Sequence, residues 1–162
     1  MVIISITVKK AQPQDYSSIS LIANEVHEKH VNALPHIFYT VKNALPKIYF
    51  EELIENPMCE ILVAKEGEDV VGFAIIEIME SPPIPTYTYR KISFINNIAI
   101  KKEYSRKGIG DTLFKECTNW SKIHGASAIE LNVWEFNQDA IAFYRKLGME
   151  YASRKMYIPL AD

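Results

Sequence analysis

The sequence predicts an α+β (mixed α/β) domain, and three observations carry that prediction. Period-two runs occur at the start, middle and end of the chain, separated by stretches of helical period. The elements follow the order strand, helix, helix, three strands, helix, strand, helix, strand. One strand–helix–strand unit lies near the centre, and a right-handed crossover would set its strands, 88–101 and 127–135, parallel in one sheet. At 162 residues the chain is expected to form a single domain with a substantial buried core.

Each element has its own signal. Val2, Ile4, Ile6 and Val8 alternate with Ile3, Ser5, Thr7 and Lys9, which is strand periodicity. Pro13 suits the first turn of a helix, and Ile19, Ile22, Ala23, Val26 and His30 then share one face. Pro35 and Pro46 interrupt the next stretch, so 34–56 reads as a broken second helix with a loop inside it. The segment "CEILVAKEGEDVVGFAIIEIME" reads as a hairpin turning at Glu66-Gly67-Glu68-Asp69. Proline content makes "SPPIPTY" a loop. After the alternating run 88–101 comes a helix whose apolar side is Ile109, Leu113, Cys117, Trp120 and either Ile123 or His124, closed by Gly125. Ile129, Leu131 and Val133 then mark a strand. Asn137 and Gly148 bracket a short helix as cap and terminator. The end, "MEYASRKMYIPL", is strand-like.

Composition narrows the function. A net charge of −2 makes no bulk electrostatic case for nucleic acid or an acidic membrane. Cys59 and Cys117 are the two cysteines and have no CxxC spacing, which argues against a zinc site or a disulfide framework and fits a reducing compartment. The start lacks the pattern of a signal peptide, and no run is long enough to span a bilayer. The expectation is a cytoplasmic protein that holds no metal.

The stretch "YSRKGIG" at 104–110 sits at a strand-to-helix junction. Unpaired amides at a helix start attract phosphate oxygens, and Arg106 and Lys107 would add full charges. A tight turn with no ligand explains the same residues as well. A Walker loop is excluded, because lysine precedes Gly108 and GxxxxGK[ST] occurs nowhere. A dinucleotide fingerprint lacks its third glycine, where Leu113 stands, although Glu130 lies at a suitable distance.

A second segment weighs in. "NIAIKKEYSRKGIG" followed, after a helix and a strand, by "LNVWEFNQDAIAFYRKLGM" resembles the GNAT acetyltransferase superfamily over residues 88–150. Asn137, Ala140, Tyr144 and Gly148 fall at that family's spacing. Ser105 departs from it, standing where the pattern has Gln or Arg, with Arg106 beside it. The resemblance implies a mostly antiparallel sheet with one parallel pair splayed at the coenzyme A site, flanked by about four helices. It also implies acetyl-CoA as cosubstrate, with acetyl transfer to a primary amine in a ternary complex.

The same resemblance places the site residues. Pantetheine would bond the strand edge at Ile98, Ala99 and Ile100. The pyrophosphate would lie on the backbone of Ser105, Arg106, Lys107, Gly108, Ile109, Gly110 and Asp111, and Asn137 would touch the cofactor. Tyr144 would protonate the leaving thiolate. Many relatives carry a carboxylate near the place of Asn96, whose amide cannot accept a proton. That leaves His27, Glu28, His30 and Glu77 as bases elsewhere. The acceptor, a small-molecule or peptide amine, would be lined by His27, Glu28, His30, Phe38, Tyr39 and Tyr87, and a homodimer is compatible with the resemblance. A non-catalytic acyl-CoA-binding regulator on the same fold and, more distantly, a dinucleotide-binding oxidoreductase stay open.

Overall fold

The sheet is laid down strand by strand in chain order. In the computed structural model, which describes residues 5–161, β1 (Ile6–Lys10), β2 (Cys59–Glu66), β3 (Asp69–Glu80), β4 (Lys91–Ile100) and β5 (Ile129–Leu131) are hydrogen-bonded neighbours in that order. The first three pairings are antiparallel and the β4–β5 pairing is parallel, as the crossover requires. The β2–β3 hairpin turns at Gly67-Glu68, where the composition places it. Val2, Ile3 and Ile4 lie outside the described residues.

Alternation along β2 and β3 splits the core in two. On one face, Ile61, Val63, Phe73 and Ile75 pack with Ile19 and Ile22 of α1 (Tyr16–Ala33) and with Phe50 and Leu53 of α2 (Lys47–Glu55). On the other, Leu62, Ala74, Ile76 and Ile95 pack with Ile109, Leu113, Cys117 and Trp120 of α3 (Ile109–Ile123). The predicted α3 seam therefore holds through Trp120. The open choice at its end is settled by stacking: the His124 ring lies 4.0 Å from Trp120, while Ile123 is 81% exposed.

The expected broken helix over 34–56 is corrected: only Lys47–Glu55 is helical, and 34–46 is an irregular strap. Long-range bonds hold that strap where helical bonds do not. Asn24 Oδ1 accepts from the Ala44 amide at 2.8 Å, and the Tyr16 hydroxyl donates to the Leu45 carbonyl at 2.8 Å. Pro46 supplies the carbonyl that the Phe50 amide uses to open α2.

Gly72 sets how closely α3 and β4 approach β3. A Cβ there would meet Ile100 Cδ1 at 2.8 Å, the Ala99 carbonyl oxygen at 3.0 Å and Leu113 Cδ1 at 3.2 Å. The side chains can turn aside, but the carbonyl belongs to the sheet ladder. Gly72→Ala is expected to cost about 1–3 kcal/mol, the usual range for overpacking, read as a lower denaturation midpoint at unchanged slope.

Residues 133–161 form a second compact unit. Its α4 (Gln138–Lys146) begins at Asn137, whose Oδ1 accepts from the Ala140 amide at 3.2 Å. It ends at Leu147, and the Met149 amide returns to the Tyr144 carbonyl at 3.0 Å. The expected strands here are shorter or different. β5 stops at Leu131 rather than running to 135, and within this unit residues 149–161 form neither helix nor ladder. Alternation shows that a segment can be two-faced, whereas a strand also needs a partner backbone, and α4 offers none. Arg145 and Arg154 instead lie over the Tyr151 ring, at 5.4 and 4.5 Å.

Candidate active site

The site begins with a break in the sheet. Along β3 and β4, Ile75 faces Asn97 and Ile76 faces Ile95, so Asn96 has no residue opposite it. One extra residue in one strand is a β-bulge, which bends the strand and sharpens its twist. The parallel pairing of β4 with β5 covers only Ser93–Ile95, against Ile129–Leu131. It ends at the residue before the bulge. Beyond that point, β4 keeps its bonds to β3 through Ile98, Ala99 and Ile100 while its other edge has left the β5 ladder. An open strand edge offers alternating donors and acceptors to anything that carries amides.

The bulge also inverts the face of every residue after it. Ile95 lies on the α3 side, and so do Ile98 and Ile100, an odd number of residues further on; Ala99 lies with α1 and α2. Read as one alternating run, 88–101 conceals this. The available signal was the Asn96-Asn97 pair, two adjacent exposed polar residues inside an apolar strand.

The glycine junction follows directly. One 3-10 turn (Lys102–Tyr104) leads to Arg106, left-handed at φ 60°, and Gly108, left-handed at φ 78° and ψ 6°, which caps α3. A left-handed residue followed by a helical one turns successive amides to the same side and forms an anion-binding concavity. The amides of Ile109, Gly110 and Asp111 have no carbonyl one turn behind them, since the first return bond is Thr112 N–H to the Gly108 carbonyl at 3.2 Å. The Asp111 carboxylate complements the dipole of the first turn. The Lys107 ammonium lies 5.0 Å above the Tyr104 ring, and the Tyr104 hydroxyl donates to Glu66 at 2.7 Å. The Ser105 amide is used locally, donating to the Lys102 carbonyl.

Across the bulge, Asn96 Nδ2 donates to Glu77 Oε1 at 3.0 Å, and the Cys59 thiol faces Glu77 Oε2 at 3.8 Å. Burial, and then the Glu77 carboxylate, push the Cys59 thiol up to about 11. Burial pushes Cys117 up to about 12. Both cysteines are therefore thiols at neutral pH and poor nucleophiles. The Tyr49 phenol is also raised, by burial first and then by Glu77.

The acceptor candidates divide. His27 Nε2 donates to the Tyr39 carbonyl at 2.9 Å, and His30 Nδ1 donates to the Val26 carbonyl at 2.8 Å. Both imidazoles meet the Phe38 ring edge-on, at 6.1 and 5.5 Å. His27, His30 and Phe38 thus form a clasp that ties the 34–46 strap to α1. Glu28 and Tyr39 are exposed. Tyr87 joins Ile84, Pro85 and Tyr89 around a surface hollow on the loop after β3. In the second unit, Asn137 is a helix cap, and Tyr144 lies on α4 with its ring 5.3 Å from Phe143.

A sheet whose parallel pair parts at a bulge, followed by a helix opened by left-handed residues, makes an α+β domain with an open strand edge beside an anion-binding turn. The chain belongs to the acetyltransferase (GNAT) family, whose profile matches residues 24–149. It is 26% identical over 153 residues to the L-amino acid N-acetyltransferase AaaT of Escherichia coli, covering 90% of this chain and 83% of that one. A Bacillus subtilis protein provisionally named a ribosomal protein bS18-alanine N-acetyltransferase is 31% identical over 102 residues. That match spans 63% of this chain and only 61% of the relative's length. Among solved structures, a variant of the BH1408 protein from Bacillus halodurans superposes with TM-score 0.93 at 30% identity, covering 96% and 99% of the two chains. No helix among the described residues is long and apolar enough to cross a membrane.

Proposed function

We propose that residues 1–162 act as one N-acetyltransferase domain that moves an acetyl group from acetyl-CoA directly to a primary amine. The observation that carries this reading is the parting of β4 from β5 at Asn96, 13 residues before the first amide of α3 at Ile109. Ile98, Ala99 and Ile100 offer the edge on which pantetheine amides would lie, and the backbone of 106–111 offers the concavity for the pyrophosphate. Arg106 and Lys107 add positive charge there. Acetyl-CoA, when bound, supplies an electrophilic thioester carbonyl and a thiolate leaving group.

Protein residues would do the remainder. A β4 amide near the bulge stabilises charge growing on the carbonyl oxygen. Tyr144 donates its phenolic proton to the departing sulfur. Transfer without a cysteinyl intermediate is supported by the two thiols, both raised well above neutrality. The names of relatives refer to L-amino acids, thialysine and an alanine of ribosomal protein bS18. The acceptor class proposed is accordingly a primary amine on a small molecule or peptide, in the cytoplasm.

Calorimetric titration with acetyl-CoA, and with NAD in parallel, tests the reading. Micromolar-range binding of acetyl-CoA and none of NAD is expected. Thiol release is then followed with L-amino acids, thialysine and an N-terminal alanine peptide as acceptors. Absence of acetyl-CoA binding would overturn the proposal; binding without turnover of any amine would favour a regulatory acyl-CoA-binding domain.

A further inference from the structure

The residue at the bulge is an amide, and the carboxylate comes from the neighbouring strand. Glu77 on β3 is half-buried, and each of its oxygens faces a neutral donor: Oε1 faces Asn96 Nδ2 at 3.0 Å, and Oε2 faces the Cys59 thiol at 3.8 Å. Among the described residues no cation forms an ion pair with it, although Lys10, Lys65, Arg90 and Lys101 all pair with other carboxylates. A half-buried carboxylate held in one rotamer by neutral donors keeps its charge unspent for a cationic ligand. Its partner Asn96 is the residue at which β4 bulges and leaves β5, so the carboxylate lies beside the opening of the sheet.

Resting on the acetyltransferase reading above, we infer that Glu77 is the group that binds the acceptor's ammonium and takes its proton, with Asn96 as the residue that positions it. The step is a proton transfer. An N–H bond of the ammonium breaks, an O–H bond forms on a Glu77 oxygen, and the nitrogen keeps the electron pair with which it attacks the thioester. The proton passes from Glu77 to solvent after turnover. Asn96 touches no reacting atom; its amide donates to Glu77 Oε1 and fixes where the carboxylate points.

Glu77 and Asn96 lie 19 residues apart in sequence and meet only through the β3–β4 register. Both side chains reach the same opening, one from β3 and the other from β4. An exchange of side chains is therefore a direct test.

The test uses the full chain with acetyl-CoA and thialysine as the probe amine, following thiol release and product mass. Glu77→Gln is expected to lower kcat by about tenfold or more and to raise KM for thialysine, while the calorimetric Kd for acetyl-CoA stays within about twofold. Asn96→Ala should lower kcat less, with the same unchanged Kd. The double variant Glu77→Gln with Asn96→Asp returns a carboxylate to the opening from β4 and should recover part of the lost kcat. A purely structural role for Glu77 would show no such recovery. Unchanged kcat in Glu77→Gln, or no recovery in the double variant, overturns the assignment alone. A wild-type protein that binds acetyl-CoA yet acetylates no thialysine overturns it together with transfer to amines of this kind.

Discussion

Replacing Tyr144 by phenylalanine is expected to lower turnover ~100-fold while leaving acetyl-CoA affinity nearly intact, because general acid catalysis is typically worth that much. The reasoning starts from the leaving group. A thiolate departs more readily when a proton reaches sulfur as the bond breaks, and a phenol within hydrogen-bond reach can supply that proton. Phenylalanine keeps the ring, its packing beside Phe143 and the α4 backbone, and removes the hydroxyl alone. A thermal melt of the variant separates an effect on folding from an effect on proton delivery. The informative comparison is kcat against the calorimetric Kd. A fall in both would mean the hydroxyl serves binding rather than proton delivery, and no fall in kcat would remove Tyr144 from the mechanism.

Gly108→Val is expected to weaken acetyl-CoA binding by an order of magnitude or more and to destabilise the fold. The cause is conformational. A Cβ at Gly108 would meet nothing within 4 Å, so space is not the constraint. The backbone is, since φ 78° lies in the left-handed region that a β-branched residue adopts only at a cost of about 1–3 kcal/mol. Valine would relieve that strain by turning φ negative, and the amides that follow would no longer point to one side. Denaturation measures the first effect and titration with acetyl-CoA the second. Gly108→Asn is the control, because asparagine tolerates the left-handed region and should retain most of the affinity. A folded Gly108→Val protein with unaltered affinity would place the phosphates elsewhere.

Much of the scaffold was legible because its signals are contiguous. The hairpin at Glu66–Asp69 is announced by a glycine between two apolar runs, and the turn lies there. The α3 seam of Ile109, Leu113, Cys117 and Trp120 repeats at helical spacing, and all four are buried. Asn137 caps α4 through its own side chain. The two motif segments at family spacing pointed to the acetyltransferase family that the comparisons bear out. Failures of the same reading have one form. The expected broken helix over 34–56 gives way at 34–46 to a strap held by Asn24, Tyr16 and His27, which are distant in sequence. The final segment alternates like a strand, yet within its unit no backbone lies alongside to make it one.

By itself, then, the sequence determined the α+β class, the order of elements as far as α4, the parallel crossover and the glycine-started helix. Each depends on periodicity, caps and turn residues inside a short window, where the local chain sets its own conformation. Only the tertiary structure decided where β4 bulges, where β5 leaves it, and that Glu77 faces Asn96. Those facts are properties of register between strands. A one-residue slip would turn every side chain to the other face without altering any local signal. The charge at the opening of the sheet was written in the sequence as a glutamate and an asparagine 19 residues apart, and antiparallel pairing made them neighbours.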